Sequence, residues 1–238
     1  MQKGKTGKYL KYAIGEIILV VIGILIALQV NDWNENRKAF HRKNALLKSL
    51  QSEFKLNLLQ LDSVLYYDNL AVKNSLKLLH LDASKIKNWH RDSLRILIQN
   101  SSWTWTFDPL NGALRSGVSS GDINLIHNDS LKILIYNWQD VVADAKENEN
   151  RAHNTRWNEK VLEKHIRNVD YRSADRAELG KSKFQSDYKS LIQDPLFEDY
   201  ISNRYARIRE AVIELNQVRA QNVTILKLIN LEINVDKQ

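Results

Sequence analysis

The stretch AIGEIILVVIGILIALQV, residues 13–30, decides how the rest of the chain is read. As a helix it spans roughly 27 Å at about 1.5 Å per residue, close to the hydrocarbon thickness of a bilayer. Only Glu16 and Gln29 interrupt the apolar run, and both sit near its ends. Tyr9 and Tyr12 precede it and Trp33 follows it, placing amphipathic rings where a headgroup layer would receive them. A secretory signal would share the lysine-rich start but should end in a small-x-small cleavage site, which ALQVNDW does not supply. A core helix of a soluble domain seldom runs from Ile17 to Leu28 without a polar residue on any face. The stretch therefore reads as a lasting transmembrane anchor, in contact with membrane lipid.

Composition bounds the remainder. The chain has 238 residues, enough for one good-sized domain beyond the anchor. Only 8 Gly and 2 Pro occur, which points to a mainly helical protein. The absence of Cys excludes disulfides, thiolate metal sites and cysteine nucleophiles together. A formal charge of +7 would suit nucleic acid, but the basic residues are interspersed with acids along the whole chain. A solvated helical surface explains that pattern, and no nucleic-acid partner is expected. Lys3, Lys5, Lys8 and Lys11 precede the anchor, while Arg37, Lys38, Arg42 and Lys43 follow it, so the positive-inside comparison is close. The compact, acid-free lysine tail favours a cytoplasmic N-terminus and a periplasmic C-terminal domain.

Residues 1–12 read as a basic tail, mobile up to Lys8, with helix beginning at Tyr9, and residues 13–33 as the transmembrane helix. Residues 34–45 are too polar for lipid or core and read as a helical stalk, with a break near Asn31 and Asp32 as the alternative. Residues 46–238 form the expected helical extracytoplasmic domain. Leu47, Leu50, Phe54, Leu58, Leu61, Leu65, Val72, Leu76 and Leu79 recur at helical spacing and continue the first helix. Asp92 is placed to cap a short helix reaching Gln99. SSWTWTF, residues 101–107, reads as an extended loop packing Trp103, Trp105 and Phe107 onto the bundle. Asp108 before Pro109 predicts a short helix ending near Gly117, followed by a turn with the apolar plug Ile123, Leu125 and Ile126. A second long helix is expected from Asn128 or Asp129 towards Val169, then a loop over residues 170–182 and a short helix over residues 187–193. Asp194 and Pro195 then start a third long helix to about Asn234, whose face includes Leu196, Tyr200, Tyr205, Ile208, Val212, Leu215, Val218, Val223, Leu226 and Ile229. The fold class expected is all-α, with the transmembrane helix continuing into an elongated antiparallel bundle.

YAIGEIILVVIGILIALQVNDWNENRK, residues 12–38, resembles the N-terminal signature of a family of uncharacterised single-span membrane proteins abundant in Bacteroidetes-type bacteria. LRSGVSSGDINLIHNDSLKILIYNW, residues 114–138, is similar to that family's second recurring stretch. The resemblance implies an inner-membrane protein with a helical periplasmic domain and no established activity. Gly15, Glu16, Gly23, Ala27, Asn31 and Trp33 match its anchor pattern; no catalytic residue is carried over.

Candidate site residues begin in the anchor. At 100° per residue, Glu16, Val20, Gly23, Ala27 and Val30 fall within about 40° of one direction. Gly23 and Ala27 make a small-xxx-small step that lets a second helix approach closely. An acid within hydrocarbon costs about 2.5 kcal/mol or more near the bilayer centre and less towards its edge, so Glu16 belongs either in a helix interface or at the water boundary. The same acid would be the proton carrier if the protein were a proton-coupled transducer. Elsewhere, Glu149 and His153 stand one turn apart, but neither HExxH nor a repeated Glu-x-x-His accompanies them. G-x-S-x-G and a G-K-[ST] phosphate loop are also missing, so neither cofactor nor metal is expected. The resulting expectation is a non-enzymatic single-pass protein whose periplasmic domain scaffolds or binds envelope partners or self-associates. An envelope enzyme with an unrecognised site is the rival class.

Overall fold

The computed structural model describes residues 5–155, 160–172 and 177–235, with side chains from residue 14 onward apart from those of 83, 171, 172 and 235. Among the described residues the chain is all-α. Helix α1 runs unbroken from Lys5 to Leu79, so it starts earlier than Tyr9 and passes through Asn31 and Asp32 without a break. No Gly or Pro occurs between Gly23 and Pro109, and nothing local is available to stop it. Its residues 14–33 are all exposed, and the first buried residue along it is Lys43. From there Leu46, Leu47, Leu50, Phe54, Leu61, Val64 and Leu65 enter the main core.

Helix α9, Pro195–Val235, lies antiparallel against α1 and forms the other long wall. Arg219 pairs with Asp62 across the two helices, Nε to Oδ1 at 2.5 Å, while Gln51 donates to Asn230 nearer the anchor. The core face of α9 is largely the expected one: Tyr200, Ile208, Val212, Leu215, Val218, Leu226 and Ile229 are buried, joined by Phe197, Ile201, Ala211 and Ile225, whereas Leu196 and Val223 face out. Its start is as expected, with Asp194 Oδ1 accepting from Leu196 N–H at 3.0 Å ahead of Pro195. Asp194 Oδ2 also meets Lys164 Nζ and His165 Nε2, each at 2.9 Å, which holds its carboxyl below the usual carboxylate range.

Between the long helices stand α2, Arg91–Ser102, α3, Gly112–Ser120, α4, Asp129–Tyr136, and α5, Trp138–Thr155. They are followed by the short helices α6, Lys160–His165, α7, Asn168–Arg172, and α8, Tyr188–Ile192. The expected second long helix is thus divided, with a turn at Asn137 and fully buried Trp138 packed edge-on against Phe54 at 4.9 Å. The loop expected over residues 170–182 begins inside α7, and residues 173–176 lie outside the described ones. His90, rather than Asp92, caps α2, its ring Nδ1 accepting from Asp92 N–H.

The largest departure concerns Pro109. Residues 103–111 form neither helix nor strand, and the next helix opens only at Gly112. That helix has no side-chain cap of its own at Asn111; its free N–H groups are taken by Glu53 of α1, at 2.7 Å from Ala113 N and 3.0 Å from Leu114 N. Its far end closes at Gly121, in the left-handed conformation with φ 77°. Gly117 lets α3 lie close on α1: a Cβ there would stand 2.6 Å from Leu46 Cδ1 and 3.2 Å from Ile123 Cδ1, both in the core.

Gly117→Ala should therefore lower stability despite alanine's better helix propensity, by about 1 kcal/mol or more as the core overpacks. Urea unfolding of the full chain checks this, and an unchanged or raised midpoint would refute it.

Candidate functional site

The strap, residues 103–111, pairs with no strand and no helix, so its peptide groups need partners from side chains. Four polar residues reach it from within the bundle. Asp68 Oδ1 accepts from Trp105 N–H at 3.0 Å and Glu149 Oε1 from Phe107 N–H at 2.7 Å. Asn57 holds Leu110 from both sides, accepting from its N–H at 2.8 Å and donating to its carbonyl at 2.9 Å. Glu53 completes the series at the start of α3. All four are buried. Lys146 reinforces the middle, with Nζ 2.8 Å from Asp108 Oδ1 and 3.3 Å from the Phe107 carbonyl.

The strap's other end is fixed by Arg204 of α9, a fully buried cation. Its Nε donates to the Ser101 carbonyl at 3.2 Å and its Nη2 to the Ser102 carbonyl at 2.8 Å, where the C-terminal end of α2 favours positive charge. Burial pushes the Asp68 carboxyl up to about 7, against the lowering effects of the Trp105 N–H and the Arg204 charge. Burial likewise raises Glu149 to about 7, opposed by the Phe107 N–H and Lys146 and assisted by the charges of Asp68 and Asp108.

What this anchoring displays is a row of rings. Phe107 turns inward beneath Trp138, but Trp105 remains 49% exposed and stacks on Tyr67, 43% exposed, with ring centroids 4.9 Å apart and planes 23° from parallel. Of the three aromatic residues in SSWTWTF only Phe107 is buried; Trp103 is half-buried and Trp105 exposed, so the strap departs from the pleat of a regular strand, in which residues two apart share a face. Tyr67, Leu70, Gln99, Asn100, Trp103 and Trp105 line a cleft of about 300 Å³. Among the described residues no group of His, Asp or Glu gathers as a metal-ligating cluster; Glu149 is occupied with the strap.

The sequence-derived residues of the anchor lie elsewhere. Glu16, Val20, Gly23 and Ala27 are all exposed along α1, and none is buried by the other described residues. A Cβ built at Gly15 or Gly23 would encounter nothing within 4 Å. Trp33 is exposed, with the Arg37 guanidinium 5.4 Å from its ring centroid. Tyr9 and Tyr12 fall in the first turns of α1, and their side chains lie outside the described residues. Among the described residues, α1 alone is long and apolar enough to cross a membrane, with mean hydropathy 2.3 over its most apolar window.

Residues 16–161 match the family described as Family of unknown function (DUF6090). The chain belongs to that family. No curated protein and no solved structure matches it. The span matched to DUF6090 takes in the exposed part of α1, the strap and all four strap-holding residues, Glu53, Asn57, Asp68 and Glu149.

The raised carboxyls have a measurable consequence. Between about pH 4 and pH 7 the folded protein holds protons on Asp68 and Glu149 that the unfolded chain has released, so their stabilising contribution is complete at the acid end and lost as pH rises through about 7. The thermal midpoint should be higher at about pH 5.5 than at about pH 8.5, and Asp68→Asn should flatten that slope. A slope of opposite sign, or one unaltered by Asp68→Asn, would contradict the assignment.

Proposed function

We propose that this DUF6090 protein is a single-pass inner-membrane protein that associates through its membrane helix and carries a helical periplasmic domain for contact with envelope partners. The observation behind the reading is the condition of α1 between residues 14 and 33: a mainly apolar rod, exposed throughout, with glycines that meet nothing within 4 Å among the described residues. An uncovered apolar helix of this length needs lipid or another helix around it. In lipid, close approach at small residues is what favours one helix over surrounding acyl chains, and Gly23 and Ala27 share the face that carries Glu16 and Val20. Packing there also removes the Glu16 side chain from hydrocarbon.

The polar residues after Val30 support a spacer role. Residues 31–42 remain unburied along α1, with Lys38 paired to Glu35 at 2.9 Å on the helix surface. The bundle closes at Lys43, whose Nζ lies 3.0 Å from His127 Nδ1 and 3.7 Å from Glu232 Oε1, while Glu232 also accepts from His127 N–H. These contacts join α1, the loop before α4 and the last turns of α9, holding the bundle together at its end nearest the apolar segment.

Because the chain has no cysteine, single cysteines report cleanly. Ala27→Cys should cross-link in native membranes, and Gly23→Ile should reduce the linked fraction about five- to tenfold, the equivalent of 1 to 1.4 kcal/mol. Equal cross-linking with Gly23→Ile and with Glu16→Leu would remove the helix interface. Ser119→Cys should react with an impermeant reagent from the periplasmic side; reaction only from the cytoplasmic side would reverse the orientation.

A further inference from the structure

The cleft beside the strap has a composition unlike the rest of the surface. In a chain of which 26% of residues are charged, none of its six lining residues is Lys, Arg, His, Asp or Glu. Tyr67, Trp103 and Trp105 supply rings, Gln99 and Asn100 supply side-chain amides, and Leu70 fills the floor. A ligand matched to this lining is uncharged, has a flat apolar face, and carries hydroxyl or amide groups at its edge. An ion of either sign would lose hydration there without gaining a counter-charge. A purely apolar ligand would take the Asn100 amide out of water with nothing in exchange.

We propose that this cleft binds an uncharged, β-linked glycan through the face of one pyranose ring. In a gluco-configured pyranose the substituents are equatorial, so the axial C–H bonds cover each face and fit the electron-rich face of an indole or phenol. Trp105 and Tyr67 stack on one another, stay about half-exposed and both line the cleft, with Tyr66 edge-on to Tyr67 at 5.2 Å, giving an aromatic platform. Asn100, on the last turn of α2, offers a donor and an acceptor at the edge where the sugar's hydroxyl or acetamido groups would lie, beside Gln99, whose Oε1 accepts from Arg95 at 3.4 Å.

Preorganisation strengthens the assignment. Exposed rings on a loose loop would lose conformational freedom on binding, but the Trp105 N–H is fixed to Asp68, the Phe107 N–H to Glu149, and the preceding Ser101 and Ser102 carbonyls to Arg204. Tyr67 stands on the continuous helix α1, roughly 55 Å beyond Val30 at about 1.5 Å per residue. The proposal takes from the periplasmic reading only the access of this cleft to glycan; binding itself does not depend on it.

The test is titration of the full chain in detergent micelles with chitohexaose and cellohexaose, followed by tryptophan emission and calorimetry. At least one of these should bind with a Kd of about 1 mM or tighter. Trp105→Ala should weaken it by about tenfold or more, whereas Trp105→Phe should stay within about threefold. Tyr67→Ala, on an exposed helix face where alanine is well tolerated, should also weaken it by several-fold with an unchanged circular dichroism spectrum. Absence of heat and emission change with both sugars to about 10 mM would overturn the proposal, as would binding indifferent to Trp105→Ala and Tyr67→Ala. Preferential binding of a proline-rich peptide, which also docks on aromatic surfaces, would overturn it too. Gly23→Ile keeps the cleft while weakening the membrane-helix contact, so glycan binding retained in that variant separates the two proposals.

Discussion

An unpaired stretch of backbone laid across a helical bundle must find hydrogen bonds or forgo the fold, and this constraint organises the domain. The strap has no neighbouring strand, so Glu53, Asn57, Asp68 and Glu149 act as its sheet. Placing carboxyls and an amide inside a core is costly unless each is satisfied. Here each accepts from the strap or the first turn of α3, and Arg204 brings the balancing charge to the end of α2. Loss of one such group would leave a buried N–H without a partner as well as vacating volume, and so the series acts as a unit.

The consequence reaches the surface. Inward residues of the strap, Phe107 above all, join Trp138 and Phe54 in the core, while Trp105 is set outward against Tyr67. A rigid presentation of aromatic side chains is thereby obtained from a segment without regular secondary structure. Asp68 and Glu149 carry raised proton affinities because they are removed from water, so two of the groups that hold the strap also make its stability depend on pH.

The long helices were legible because their signals are local. Periodic apolar residues, a dearth of Gly and Pro, and the Asp194–Pro195 start define α1 and α9 within a few residues, and the anchor stretch stands out by length alone. The strap was legible only in its first half, where residues 103–107 are the expected loop; beyond it Asp108 and Pro109 carry a helix-start pattern, and the groups that override it lie on α1 and α5, about forty to sixty residues away in sequence. Glu53, Asn57 and Asp68 interrupt the α1 stripe and look solvated in a one-dimensional reading, though they face the interior. Their spacing relative to Phe54, Leu61 and Val64 was the available signal: polar residues at core-facing positions of an otherwise apolar stripe. The Tyr67–Trp105 platform joins two distant segments and has no local signature at all.

One property of α1 sets the mechanics of the whole assembly. From Gly23 to Leu79 it contains neither Gly nor Pro after the first residue, and it runs without a hinge from the exposed apolar segment into the centre of the bundle. Such a shaft transmits angular changes rather than absorbing them. If residues 14–30 are held in a bilayer, as proposed, a tilt of roughly 10° there would swing the rings near Tyr67 sideways by roughly 10 Å, so that bilayer thickness would steer the reach of the bundle.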